Sequence, residues 1–535
     1  MISYTSSNQL KIEEFALPFG GKLTLDNRWV KLSQLLPWDD LASIYYRKMS
    51  ADKGAPGKNA RLVIGAIIIK HKLKLTDEET IQTIQENPFM QYFLGLSGFT
   101  HKPIFDPSLF VYIRKRLGVE AFDEMSQTII DIALGDKKVI KSKPQSDLNK
   151  DNHPSDGMSK DNINQNETKN IEPDNKGKLK LDATVADACI KFPTDLDLLN
   201  DSREKSEELI DFLFKDLQLA KKPRTYRQKA RKSFLLLAKK KNKKIKEIRK
   251  CVRQQLGFLN RNIKHINHML DQYKNNRMPF NRQQYKYFLV IQEVYRQQLE
   301  MYRTKGHSCQ NRIVSIYQPH VRPIVRGKAK AKVEFGAKIG VSLRDGYARI
   351  DTLSWEAYNE CTDLKEQCER HKSLFGYYPE LVLADRIYLT HDNRNWLKVR
   401  NIRIVGKPLG RPPKEELTAY QKQKKRKEEA ERNHIEGKFG QGKNGYGLNQ
   451  IRAKLQSTSE SWIAAIIFVL NLVRLIKDFL FALFSSCLIR LYMLFEPLKR
   501  QYKISKLRLN QTWNTAFENS ILFNVLSGSS IKSVA

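Results

Sequence analysis

The stretch LKLDATVADACI, residues 179–190, decides how this chain folds. Apolar and small residues surround Asp182, which predicts a short β-strand with an acid at its end. Burying an unpaired carboxylate costs free energy, so this position indicates an aspartate that coordinates a metal ion. The alternative is an ordinary turn or helix-capping aspartate.

The same pattern recurs at residues 379–385, where PELVLA is followed at once by Asp385. Between the two acids, residues 322–354 predict a β-hairpin that turns near Asp345-Gly346, because Asp-Gly favours a tight turn. A helix over about 359–374 and a short strand at 402–405 complete the pattern. We expect a mixed α/β sheet in which the strands of Asp182 and Asp385 are adjacent.

A third acid lies in ERNHIEGKFGQGKNGYGLNQIR, residues 431–452. Arg432, Glu436 and Lys443 fall within roughly 40° of each other on a helical wheel. The carboxylate could bind a hard metal ion and the cations could hold phosphate. The alternative is a solvated helix with one ion pair. Glycines also argue against a long regular helix here: 437, 440, 442, 445 and 447.

The charge of the chain indicates a polyanionic partner. Its 535 residues include 94 Lys and Arg against 58 Asp and Glu, a net charge of +36. Nucleic acid would neutralise such an excess. A basic surface without a specific partner and an anionic membrane surface are the alternatives.

The cysteines and the apolar segments predict a cytoplasmic protein. None of the six cysteines forms a C-x-x-C pair, and Cys368 and His371 have no second ligand pair nearby, which argues against zinc. The first fifteen residues show no secretion signal. The apolar run 461–489 contains Arg474, Lys477 and Asp478 near its middle, so we expect a buried helix packed on the sheet rather than a membrane span.

Composition divides the chain into five predicted segments. The helical segment, 27–135, could bind DNA or could serve in packing or dimerisation. The next segment, 136–178, is polar and is predicted to be a disordered linker. The insertion in the catalytic segment is rich in Lys and Arg, and it could lie along phosphates or be a solvated scaffold. The segments are 1–26, the N-terminal segment; 27–135, helical; 136–178, linker; 179–475, catalytic domain with a helical insertion at about 195–320; and 476–535, a C-terminal helix and tail.

These motifs resemble the DDE transposases of bacterial insertion sequences, in the branch whose third acid lies in Y-x-x-R-x-x-x-E-x-x-x-x-x-x-K. Arg432, Glu436 and Lys443 match that spacing, while the Tyr position holds Glu429. In the family that Tyr is thought to stack on a flipped base, a role that Glu429 does not supply. The resemblance extends to the segments LDATVAD, RPIVRGKAKAKVEFGAKI, LVLADR and YGLNQIRAKL.

The resemblance implies an RNase H-like mixed sheet with helices on both faces. It implies that Asp182, Asp385 and Glu436 are catalytic and bind two Mg²⁺ ions, with Mn²⁺ as a possible substitute. DNA, as terminal inverted repeats and as target, would be the partner of a homodimer that cuts the element ends and joins the freed 3′-OH to the target. The residues expected to hold DNA are Arg432, Lys443, Arg386 and Arg394.

Two other functions fit the same residues. One is an RNase H-like metal-dependent nuclease without strand transfer, and the other is a non-catalytic DNA-binding derivative of a transposase. In each reading the protein is bacterial and cytoplasmic, associated with the nucleoid and not with a membrane.

Overall fold

A computed structural model describes residues 15–17, 21–50, 57–135, 174–273, 278–325, 333–406, 418–482 and 485. The chain divides into two compact units, Met1–Leu472 and Val473–Ala535. Most of the predicted linker, the start of the N-terminal segment and the C-terminal tail lie outside the described residues.

Helices fill the N-terminal part of the first unit. Local capping sets several of their starts: Thr76 and Glu79 form a capping box, and Asn87 caps a helix with Pro88 at its first position. The α6 helix bends at Gly118, whose backbone is not helical. The helices are α1 (Arg28–Leu35), α2 (Trp38–Arg47), α3 (Ala60–Leu73), α4 (Asp77–Glu86), α5 (Pro88–Phe93) and α6 (Leu109–Leu134).

A buried ion cluster joins three of these helices. Asp77 of α4 accepts two hydrogen bonds from Arg114 of α6, at 3.0 and 2.7 Å, and lies 2.9 Å from the Nζ atom of Lys70 in α3. Lys70 and Arg114 also lie over the ring of Trp462, at 4.4 and 5.0 Å from its centroid. The cluster therefore connects the N-terminal helices to the segment that follows the third predicted acid.

A mixed sheet forms the centre of the first unit. Strand β3 pairs antiparallel with β1, β2 and β4, whereas β5 is parallel to β1 and to β6. The order is β2-β3-β1-β5-β6, with β4 also on β3. The strands are β1 (Lys178–Asp187), β2 (Arg322–Val325), β3 (Val333–Arg344), β4 (Tyr347–Ser354), β5 (Leu381–Ala384) and β6 (Arg403–Val405). The predicted mixed α/β class is confirmed.

The hairpin between β3 and β4 turns where the sequence predicts. Asp345 and Gly346 have φ values of 49° and 89°, the left-handed pair that a two-residue type I′ turn requires. Gly336 near the start of β3 lies against the backbone of Ala186 in β1, where no side chain would fit. The two strands pair closely through this point, from Asp187 with Gly336 to Lys180 with Leu343.

Within the described residues, four helices lie between β1 and β2, in the segment where the sequence predicts a helical insertion. Leucines and isoleucines of α7 and α9 form their own apolar core, with Leu199, Ile210, Leu259 and Ile266 fully buried. The helices are α7 (Asp195–Asp216), α8 (Arg227–Ala238), α9 (Ile245–Leu270) and α10 (Arg282–Thr304).

Helices α11 (Asp363–Phe375) and α12 (His391–Val399) flank β5, and α13 (Ala419–Tyr446) carries the third acid. The expectation that glycines would interrupt this helix was wrong, because 437, 440, 442 and 445 all lie inside it and only the fifth glycine, Gly447, ends it at φ 75°. Contacts along α13 with the sheet outweigh the low helix propensity of glycine.

Residues 456–472 form the last helix of the first unit, α14. Asn471 exchanges two hydrogen bonds with the backbone of Ala348 in β4, at 2.8 and 2.7 Å. The predicted burial of the apolar run 461–489 on the sheet is therefore confirmed for residues 461–472, whereas Phe479, Leu480 and Phe481 are exposed. In the second unit, residues 473–482 are helical and Arg474 pairs with Asp478. Among the described residues, no helix combines the length and the apolar character that crossing a bilayer requires.

Candidate active site

Two of the three predicted acids lie at adjacent parallel strands, Asp182 within β1 and Asp385 directly after β5. The β1–β5 register pairs Leu181 with Ala384, so the next residues are Asp182 and Asp385. Adjacent strands lie about 5 Å apart, and directly opposite residues point to the same face of a sheet. The predicted adjacency of these strands is confirmed. The expected strand end at Asp182 was wrong, because β1 continues to Asp187 through residues that also pack.

Each aspartate accepts a hydrogen bond from the backbone of the residue that follows it. Asp182 accepts from Ala183 at 2.8 Å, and Asp385 accepts from Arg386 at 2.7 Å. Asp182 is partly buried within the sheet, whereas Asp385 is exposed after the strand has ended. Asp385 is therefore the more exposed of the two residues.

Tyr388 follows Asp385 by three residues, and the charge of Asp182 acts on its hydroxyl. Its side chain is fully buried, and its hydroxyl makes no hydrogen bond within the described residues. Burial raises the pKa of this hydroxyl, and the negative charges of Glu360 and Asp182 raise it further. The hydroxyl therefore stays protonated and adds no charge beside Asp182.

Charged contacts fix α13 over the same strands. Lys178 at the start of β1 binds Glu431 at 2.8 Å, and Arg403 of β6 binds Glu428 at 2.7 Å. Farther along α13, Ile435 is fully buried. These residues recur at helical spacing, so they define the face of α13 that rests on the sheet.

Glu436 lies at the border of that face. It shares a side of the helix with Arg432, which binds it at 2.9 Å, and with Lys443. Lys443 lies 3.3 Å from Asp187 at the end of β1 and 3.9 Å from Glu334 of β3. The side of α13 that carries Glu436 therefore looks toward the end of β1.

The structure places the predicted site residues in two groups: Asp182 and Asp385 at the neighbouring strands β1 and β5, and Arg432, Glu436 and Lys443 on one side of α13. Within the described residues, no three His, Cys, Asp or Glu side chains are grouped closely enough to hold a metal ion. The carboxylate of Glu436 is half exposed and is held by Arg432. Of the residues expected to hold DNA, Arg386 and Arg394 are exposed, while Lys443 binds carboxylates of the protein.

Sequence reasoning missed the contacts that position α13. Glu428 and Glu431 looked like members of a charged run, and their partners Arg403 and Lys178 are remote in sequence. A signal was available, because Glu428, Glu431 and Ile435 recur at intervals of three and four residues. Glu334 carried no signal, since only the pairing of β3 with β1 brings it to Lys443.

Comparison with known families matches two separate segments of the chain. Residues 382–473 match a family described as "Transposase DDE domain", a range that includes Asp385 and Glu436. Residues 18–116 match a family described as "Transposase domain", a range that includes α1 to α5. In these two segments the chain is similar to transposases, and in one of them, residues 382–473, to their DDE domain. Asp182 and the helical insertion lie outside both matched ranges.

A curated relative of this transposase-like chain is "Uncharacterized protein ORF8 in nfe locus" from Rhizobium meliloti. The two are 32% identical over 108 residues, which are 20% of this chain and 50% of the relative. The chain thus spans about half the length of the relative that it matches. No solved structure matches the chain.

Proposed function

We propose that this protein is a DNA transposase that cuts the ends of an insertion sequence and joins the freed 3′-OH to target DNA. Its sheet then serves as an RNase H-like core, and the protein acts as a homodimer on the inverted repeats. The observation that carries the proposal is the parallel pairing of β1 with β5, whose register aligns Leu181 with Ala384, the residues just before Asp182 and Asp385. The match of residues 382–473 to a transposase domain supports it.

The donor set suits hard divalent cations. Carboxylate oxygens are the ligands that Mg²⁺ prefers, and Asp182 and Asp385 present two of them from neighbouring strands. Two carboxylates that share a site repel each other, and a cation bound between them would remove that repulsion. Glu436 would complete the set by exchanging its contact with Arg432 for the metal. Two bound Mg²⁺ ions would supply Lewis-acid activation of the attacking oxygen and stabilisation of the leaving oxygen.

The cations around the acids would hold the DNA. Arg432 is already beside Glu436, so a phosphate near the cut would take over the guanidinium that the carboxylate releases. Arg386 follows Asp385 directly and is exposed, as is Arg394 on α12. Lys443 is held by Asp187 and Glu334, which places its charge at the end of β1 and keeps α13 in position.

Plasmid assays with the element's own ends test this function. Asp182→Asn, Asp385→Asn and Glu436→Gln should each abolish strand cleavage and retain binding to the ends. Asp345→Asn is the matched control, because Asp345 is an exposed turn residue whose left-handed backbone asparagine also adopts.

The products separate the possible outcomes. Cleavage followed by joining of a 3′ end to the target supports the transposase, whereas cleavage without joining would identify a nuclease. Substantial cleavage by any one of the three acid variants would remove that residue from the active site. End binding without cleavage by the unmodified protein under Mg²⁺ and Mn²⁺ would identify a non-catalytic derivative.

A further inference from the structure

One exposed face of α9 in the helical insertion carries a row of cations. We call this row the α9 stripe and define it as Lys246, Lys250, Arg253, Arg261 and Lys264. At 100° per residue these positions fall within about 80° of each other around the helix. All five side chains are exposed. The opposite face of α9, which includes Leu259 and Ile266, is buried in the insertion's core.

The α9 stripe is long enough to follow a nucleic acid backbone. Residues 246–264 span about 27 Å of helix axis at 1.5 Å per residue. Cations spaced three and four residues apart repel each other and destabilise an isolated helix. A polyanion laid along the stripe removes that repulsion, and duplex DNA presents a negative charge about every 1.7 Å of its axis.

Aromatic rings hold one arginine of the stripe, Arg261, in place. The guanidinium of Arg261 lies 4.6 Å from the ring centroid of Tyr226 and 5.9 Å from that of Phe258. Arg224 lies 4.8 Å from the same Tyr226 ring. Stacking fixes a guanidinium plane and leaves its N–H donors at the edge, so less conformational freedom is lost when a phosphate binds.

Glycine at position 257 leaves the middle of the stripe open. A Cβ atom built on Gly257 would meet nothing within 4 Å, so no packing contact in the chain requires glycine there. Glycine inside a helix weakens it relative to alanine. Because glycine has no side chain, another backbone can approach α9 closely between Arg253 and Arg261, and this gives the glycine a role.

We propose that the α9 stripe is a DNA-binding surface that contacts the phosphate backbone of duplex DNA without reading its sequence. The proposal rests on the proposed function, which makes DNA the substrate. It assigns the helical insertion a role separate from the acids: it holds a length of duplex while cleavage takes place at the sheet.

Fluorescence-anisotropy titrations of the full chain with a duplex of unrelated sequence test this surface. The salt concentration is varied between roughly 0.05 and 0.3 M, the range in which phosphate contacts dominate the affinity. Each phosphate contact contributes roughly 0.9 to the slope of log affinity against log salt. Arg253→Ala/Arg261→Ala should therefore flatten the slope by about two and weaken binding roughly 30-fold at about 0.15 M salt. The charge-matched control is Lys215→Ala/Arg303→Ala, two exposed cations of the insertion that lie on other helices and should leave the slope unchanged.

A second pair of variants isolates charge from folding. Gly257→Glu and Gly257→Gln have side chains of the same size on the same helix, and the Glu variant should bind duplex more weakly than the Gln variant. Equal binding by these two, or an unchanged slope in the double-arginine variant, would overturn the proposal. So would loss of binding to phosphatidylserine vesicles in the same variants with duplex binding intact. Failure of cleavage in the plasmid assay would instead refute the proposed function, because the salt slope does not depend on catalysis.

Discussion

Replacing Asp77 with asparagine should destabilise the first unit more than most single substitutions. Asp77 binds Arg114 through two hydrogen bonds and Lys70 through an ion pair, and the side chains of these two cations are only 7% and 1% exposed. Asp77→Asn removes the charge that compensates both cations. Breaking a buried pair in this way costs about 3–5 kcal/mol, because the remaining charge has no solvent to stabilise it.

The pH dependence of the stability that Asp77→Asn loses identifies the cause of the loss. Burial lowers the pKa of Lys70 to about 8, and the carboxylate of Asp77 opposes the shift. A base whose pKa is lowered on folding makes the native state more stable as pH rises from the folded pKa toward the unfolded value. Lys70 loses its proton as pH rises through about 8, so the difference between Asp77→Asn and the unmodified protein should shrink up to that pH and then level off.

Urea denaturation monitored by tryptophan fluorescence measures this effect, since Trp462 lies against both cations. Asp26→Asn is the control, because Asp26 is fully exposed and its contact with Lys31 is on the surface. The control should leave the urea midpoint unchanged. A loss below about 1 kcal/mol in Asp77→Asn, or a loss that does not change between pH 7 and pH 10, would refute the buried-charge explanation.

Three further substitutions test the sheet and its surroundings. Gly336→Ala places a Cβ atom against the backbone of Ala186 and should cost about 1–3 kcal/mol or more in urea denaturation. Tyr388→Phe removes a buried hydroxyl that makes no hydrogen bond within the described residues, so the free energy of unfolding should stay constant or rise by up to about 1 kcal/mol. Burial raises the pKa of Asp351 to about 6, so the native protein loses stability as pH rises from about 4 to about 6 and this carboxyl ionises. In Asp351→Asn the urea midpoint should therefore change less with pH over that range.

The parts of the fold that the sequence predicts are those fixed by local chemistry. The left-handed turn at Asp345 and Gly346 favours Asp-Gly, and strand β5 ends at Ala384, where the apolar run gives way to Asp385. These signals lie within a few neighbouring residues, so no knowledge of tertiary contacts is required to read them.

Predictions that depended on distant partners were less accurate. The β1 strand continues past Asp182 because β3 pairs with it as far as Asp187. No residue near Asp182 in the sequence indicates that pairing. The α13 helix continues through its glycines although the sequence disfavours it, because Arg403 and Lys178 bind Glu428 and Glu431 near its middle and fix it to the sheet. The helical wheel correctly grouped Arg432, Glu436 and Lys443 on one side of a helix. It could not show that Lys443 is bound to Asp187.

The most direct test of the active site counts the metal ions that the acids hold. Electron paramagnetic resonance of Mn²⁺ titrated into the protein bound to end DNA measures the number of bound ions. Two ions are expected for the unmodified protein and at most one for Asp182→Asn, Asp385→Asn or Glu436→Gln, with Asp345→Asn unchanged. An unchanged count in Glu436→Gln would contradict the account, because α13 would then contribute no ligand to the pair of aspartates on β1 and β5.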